Sequence, residues 1–69
     1  MMKVEGYFHG LEVFGTVTKS YSGDGQPLYE VDGPDVYSET GEDISDLLTY
    51  NAIEQIQDFL IEIAVKEGI

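Results

Sequence analysis

Residues 2–18 read Met2-Lys3-Val4-Glu5-Gly6-Tyr7-Phe8-His9-Gly10-Leu11-Glu12-Val13-Phe14-Gly15-Thr16-Val17-Thr18, and this stretch decides the fold. Successive side chains of a strand point to opposite faces, so residues two apart share a side. Met2, Val4, Gly6 and Phe8 fall on one side, with Lys3, Glu5 and Tyr7 on the other. After His9-Gly10, the set Leu11, Val13, Gly15 and Val17 takes one side, and Glu12, Phe14, Thr16 and Thr18 take the other. A two-residue turn at His9-Gly10, with Gly10 at positive φ, sets Phe8 opposite Leu11, Gly6 opposite Val13 and Val4 opposite Gly15. Both apolar sets then meet on one face, and Lys3 comes opposite Thr16 on the other. A slip of one residue would turn the apolar set outward. The pattern therefore predicts a hairpin over residues 2–18.

Beyond the hairpin, Ser20 to Pro27 has the composition of a loop. Leu28 to Asp32 has strand propensity, Gly33-Pro34 interrupts it because proline cannot donate to a central ladder, and Asp35 to Ser38 resumes it. Short strands are thus expected over residues 28–38, with a turn centred on Gly41. From Ser45 the period lengthens, and Ser45 to Leu48 suits a preliminary turn. Thr49 suits a helix N-cap, and Leu48 is placed to pack onto Ile53. Ala52, Ile53, Ile56, Phe59, Leu60, Ile63 and Ala64 form an apolar stripe about 140° wide, and Asn51, Glu54, Asp58 and Glu62 lie on the far side. Lys66 complements the helix dipole and Gly68 is a stop signal. A helix over about residues 50–67 follows. Its single apolar stripe needs a partner surface, which the hairpin offers. The expected architecture is one α+β domain over residues 1–69, a three- or four-stranded antiparallel sheet with the C-terminal helix across one face.

Composition limits the chemistry. The 69 residues hold three Lys plus Arg against fourteen Asp plus Glu, a formal charge of −11, with no Cys, no Trp and one His. A chain of this size buries roughly 60% of the surface its unfolded form exposes, so its core is marginal. The lack of Cys excludes a disulfide scaffold and a thiolate zinc site. The acid excess argues against direct contact with nucleic acid or an anionic membrane surface, both of which need a basic patch. No apolar run approaches a membrane span and the first residues lack a leader pattern, so a cytoplasmic, folded protein is expected.

Catalysis is not expected. His9 is the only side chain that titrates near neutrality unaided, and it sits at a hairpin tip. No phosphate loop, nucleophile elbow or Cys-His pair is present, and no cofactor is implied. Asp32, Asp35, Glu39, Glu42, Asp43 and Asp46 crowd one stretch as oxygen ligands of a hard cation do, but the EF-hand order fails: counted from Asp35, positions three and six are Tyr37 and Thr40. A solvated acidic loop is the simpler reading.

The distribution of acids carries more information. Glu54, Asp58 and Glu62 repeat at i, i+4 and i+8, about 6 Å apart along a helix. Like-charge neighbours at this spacing cost roughly 0.2–0.5 kcal/mol per pair. A second cluster, Glu30, Asp32, Asp35, Glu39, Glu42, Asp43 and Asp46, contains no base. Such a surface steers a basic partner toward it. Imitation of a phosphate backbone would require both clusters to share one side of the fold, since DNA carries one charge per roughly 1.7 Å of axis. Ile61 and Val65 project beside Glu54 and off the core stripe. Either the sheet curves enough to cover them, or they form an apolar patch rimmed by acids that suits a partner or a homodimer.

The run Glu42-Asp43-Ile44-Ser45-Asp46-Leu47-Leu48, followed by Ile53-Glu54-Gln55-Ile56, resembles the C-terminal half of small acidic orphan proteins of tailed phages and prophages. Those carry a β-rich N-terminal part, a Gly-acid-Ile-x-Asp-Leu-Leu turn and one acidic amphipathic helix. Gly41 to Leu48 fits that turn with one extra acid after the glycine, and the similarity covers about the last thirty residues. The resemblance implies a host-cytoplasm setting, and phage genomes are a source of small acidic inhibitors of host defence. The expectation is a non-catalytic protein-binding module that presents DNA-like charge to a basic host surface, in the manner of anti-CRISPR or anti-restriction inhibitors. Glu54, Asp58 and Glu62 are its expected contacts, with Asp43 and Asp46 supporting and Ile61 as the apolar contact. The alternative is a small, oligomeric structural or assembly component of a phage particle.

Overall fold

The computed structural model describes residues 1–69. Three strands, β1 (Met2–Phe8), β2 (Leu11–Tyr21) and β3 (Pro27–Tyr37), are followed by one 3₁₀ turn over Ser45–Leu47 and the helix α1 (Tyr50–Lys66). The strands pair antiparallel in the order β1-β2-β3, and α1 packs across one face. This is the α+β arrangement that the period change implies, with three strands rather than four.

The first hairpin adopts the register set by its apolar alternation. Phe8 pairs with Leu11, Gly6 with Val13, Val4 with Gly15 and Lys3 with Thr16. His9 (φ 50°) and Gly10 (φ 81°) carry the positive φ values of a type I′ turn, which follows the twist of the strands it joins. Lacking a Cβ, Gly10 takes this conformation without steric cost.

Two boundaries differ from the sequence reading. β2 does not end at residue 18: it continues to Tyr21, and the loop shrinks to residues 22–26. The two short strands expected over residues 28–38 are one strand. Phe14 pairs with Asp35 and Thr16 with Asp32, so Gly15 alone faces the pair Gly33-Pro34 in a β-bulge. Proline is accommodated because β3 is an edge strand and the bulge suspends the ladder locally. The Gly33 carbonyl accepts a hydrogen bond from Gln57 Nε2 of the helix at 3.3 Å. The bulge also corrects the phase of the strand. Val31 and Val36 lie five residues apart, and in a regular strand they would face opposite ways. With one residue added between them, Val31 pairs with Val17 and Val36 with Val13, and both face the helix.

β2 and β3 outrun β1. The first strand starts opposite Val17, whereas β2 and β3 pair onward from Thr18 and Glu30 to Tyr21 and Pro27. These four further residues extend a two-stranded ribbon by about 13 Å. They contribute to the elongated shape, 43 × 23 × 16 Å. Its tip is tied by Asp24, whose carboxylate accepts from the Ser22 hydroxyl and from the Gln26 N–H at 3.1 Å.

The helix begins where the sequence places it. Thr49 Oγ1 accepts from the Ala52 N–H at 3.1 Å. At the other end Gly68 (φ 99°) turns the chain, so that its N–H donates to the Val65 carbonyl and the Ile69 N–H to that of Ala64. This paired closure satisfies carbonyls that the last turn leaves without partners. Val4, Val13, Val17, Val36, Ile56, Leu60 and Ala64 are fully enclosed and form the core.

Two glycines set the distance between layers. A Cβ at Gly15 would lie 2.8 Å from Leu60 Cδ1, and one at Gly6 would lie 3.0 Å from Ile63 Cδ1 and 3.1 Å from the Phe59 ring. The absent side chains are the seats of the helix. Gly15→Val is therefore expected to lower stability by about 1–3 kcal/mol through overpacking. Gly23→Ala, where an added Cβ meets nothing within 4 Å, should leave it within about 0.5 kcal/mol. Thermal unfolding followed by circular dichroism compares the two, and equal melting temperatures would count against this packing.

Candidate protein-binding surfaces

The outward side of α1 is the first charged surface. Glu54, Asp58 and Glu62 are all exposed, while Ile56, Leu60 and Ala64 on the inward side are buried. The three carboxylates follow one another at successive turns, and Lys66, four residues beyond Glu62, is the only cation of the helix. A helix locked by its inner face holds these charges in fixed order.

Ile61 departs from its expected role. It is half-buried and packs against the core instead of standing free. The helix crosses the strands obliquely: Gln57 reaches Gly33 of β3, Leu60 lies over Gly15 of β2, and Ile63 lies over Gly6 of β1. An oblique crossing covers a wider arc of helix surface than one apolar stripe. Val65 stays outside that arc and is 47% exposed. Of the two, Val65 is the more accessible apolar contact.

Asp43 and Asp46 lie in the connection from β3 to α1, both exposed. The Ile44 N–H donates to the Val36 carbonyl and the Val36 N–H to Ser45 Oγ, each at 2.9 Å, which fastens this connection to β3. Asp43 Oδ1 accepts from the Ser45 N–H at 2.9 Å. That bond, supported by the Ser45 hydroxyl, holds the Asp43 carboxyl below its ordinary value. Asp24 is lowered in the same way, chiefly by the Ser22 hydroxyl and then by the Gln26 N–H.

The sheet face away from the helix is a second surface; the sequence places Phe14 and Tyr7 on it, and the register adds the residues of β3. Register places Glu5 beside Phe14, Phe14 beside Asp35, Glu12 beside Tyr37 and Thr16 beside Asp32. Since Val4, Val13, Val17 and Val36 face the helix, these neighbours face the other way. Phe14 and Tyr37 meet edge to face, with ring centroids 5.8 Å apart. The bulge decides the position of one acid here. Asp32 and Asp35 are three residues apart and would normally point to opposite faces, but the added residue brings both to the outer one. The signal was present in the alternation of β1 and β2, but could not be extended to β3 while Pro34 was read as a break.

The acids therefore occupy both layers. Glu30, Asp32 and Asp35 belong to the outer sheet face, and Glu54, Asp58 and Glu62 to the outer helix face. Of the second cluster, these three stand on the layer opposite the helix series, whereas Glu39, Glu42, Asp43 and Asp46 lie in the connection from β3 to α1. No three His, Asp or Glu side chains are grouped to hold a metal ion, and His9 is exposed at its turn with its ring edge-on to Phe8. No helix is long and apolar enough to cross a membrane. Comparison with protein-family models, with curated proteins and with solved structures gives no match.

The hydrogen bond at Asp43 has a pH signature. A carboxyl whose folded pKa lies below its unfolded value adds stability above about pH 3.9, and that stability is lost as pH falls through the lower folded value. Asp43 is accordingly expected to titrate below the unfolded reference in a carboxyl carbon NMR titration. Ser45→Ala, which removes the supporting hydroxyl, should move it part of the way back. An Asp43 carboxyl that titrates at or above the reference in the native protein would contradict the bonding described.

Proposed function

We propose that this chain is a non-catalytic, acidic protein-binding module whose partner is a basic protein surface. Its most concrete form is a phage-encoded inhibitor, active in the host cytoplasm, that blocks a nucleic-acid-binding or defence complex. The observation that carries the reading is the exposed series Glu54, Asp58 and Glu62 on a helix whose other side is packed. Like charges at this spacing oppose helix formation by a few tenths of a kcal/mol per pair, so a sequence shaped by stability alone would more often alternate signs. With a net charge of −11, the acids of the sheet face add to the field that draws a cation-rich partner, whichever layer it finally contacts. Because Glu30, Asp32 and Asp35 are on the opposite layer, the reading rests on the helix series, with Asp43 and Asp46 in the preceding connection.

Simultaneous reversal of Glu54, Asp58 and Glu62 to Lys raises the net charge from −11 to −5, each reversal adding two. Reversing Glu39, Glu42 and Glu67 makes the same change elsewhere. Capture of basic proteins from host lysate is expected to fall at least about tenfold for the first variant and far less for the second. Far-UV spectra should remain helical for both. Equal capture by the two variants would remove the helix series from the binding surface.

One observation favours a second reading, a small oligomeric assembly component. The ribbon beyond β1 carries Tyr21 at 65% exposure and Leu28 at 51%, and projecting apolar ribbons suit contacts between subunits. Sedimentation over a concentration series separates the readings. A concentration-independent monomer counts against assembly, whereas self-association that disappears in a Tyr21→Ser, Leu28→Ser double variant supports it.

A further inference from the structure

The outer face of the sheet is shaped as well as charged. A groove of about 550 Å³ lies between Lys3 and Glu5 of β1, Phe14 and Thr16 of β2, and Asp32 and Asp35 of β3. It adjoins a second hollow where Phe14 and Asp35 recur beside Glu12 and Tyr37. Phe14 and Tyr37 are only half-buried, with no element packed over them. Two aromatic rings are therefore left at a wet surface, ringed by Glu5, Glu12, Asp32 and Asp35, with Lys3 as the one cation among them.

We infer that this face docks an extended, arginine-bearing segment of a partner protein. Charge complementarity sets the sign of the occupant. A second copy of this chain, itself at −11, would bring acids against acids, and nucleic acid would do the same. The aromatic pair selects among cations. A guanidinium is planar, stacks on a ring face and donates a fork of hydrogen bonds to a carboxylate, whereas an ammonium is a compact, strongly hydrated point charge. Rings beside carboxylates thus favour arginine over lysine. The form of the occupant follows from the site, because a shallow face crossing three strands accepts an extended segment more readily than a folded knob. The inference rests on the proposed function only for the partner's charge, and it uses the layer opposite the helix series.

The test uses the intact chain and a short synthetic peptide alternating arginine with threonine. Matched lysine–threonine and glutamate–threonine peptides serve as comparisons, and binding is read by isothermal titration. The arginine peptide is expected to bind at least about fivefold more tightly than the lysine peptide. Its amide chemical-shift changes in the native protein should centre on Phe14, Asp32, Asp35 and Tyr37. The double variant Asp32→Asn, Asp35→Asn should weaken binding about tenfold, while Glu39→Gln, Glu67→Gln, an equal change of charge outside both acidic faces, should weaken it less than about twofold. Equal affinity for arginine and lysine, shift changes centred on Glu54 to Glu62, or equal losses in the two variants would each overturn the inference while leaving a basic partner in place. If neither basic peptide binds, this site is also overturned, and the lysate capture assay decides the broader reading separately. The shift map needs no variant to fold.

Discussion

Leu60 reaches the sheet because position 15 has no side chain, and the packing of the molecule depends on that contact. With a Cβ there, the Leu60 methyl would be met at 2.8 Å, and the Leu60 side chain would have to shift within the closed core. The seven enclosed residues are small or medium in size, four of them valines. A core this thin has little capacity to absorb a displacement, because interiors pack near crystal density and a shift opens voids along the whole contact. Gly6 repeats the arrangement on β1 beneath Ile63 and Phe59. The two glycines leave the room on the sheet that these helix side chains occupy.

The same middle strand explains the form of β3. Gly15 is the residue that faces two partners, so the site of closest helix approach is also the site of the bulge. Without the added residue, either Val31 or Val36 would have to leave the interior. One irregularity thus serves two layers, completing the apolar face on one side and aligning Asp32 with Asp35 on the other. The Gln57 side chain, bonded to the Gly33 carbonyl, fastens the helix to this irregularity.

These relations also divide what could be read in the sequence from what could not. The hairpin was legible because turn chemistry and alternation gave one register. The helix was legible because the Thr49 cap, the apolar stripe and Gly68 agreed on its limits. Pro34 concealed the continuity of the third strand, since its meaning depends on whether the strand is central or at an edge, and that is a property of the assembled sheet. The same gap hid the outer acidic face, whose β3 members can be assigned a side only once the bulge is counted. Ile61 was misplaced for a related reason: a helical wheel treats the covering surface as parallel to the axis, while this helix crosses at an angle. The exposed series on the helix needed only the 3.6 period and was read directly.

The ribbon of β2 and β3 beyond β1 has a consequence for how the molecule breathes. Its backbone bonds have one partner strand, and beyond Tyr29, which still packs against the core, opening exposes little apolar surface and costs far less than opening at Val13 or Val36. Amide protons should exchange fastest at the Gly23–Gly25 tip and progressively more slowly toward Val17, where β1 joins. The protein is thus graded along its long axis, compliant at one pole and firm at the other. A ligand gripping the compliant pole would gain less from pre-formed shape than one gripping the firm end.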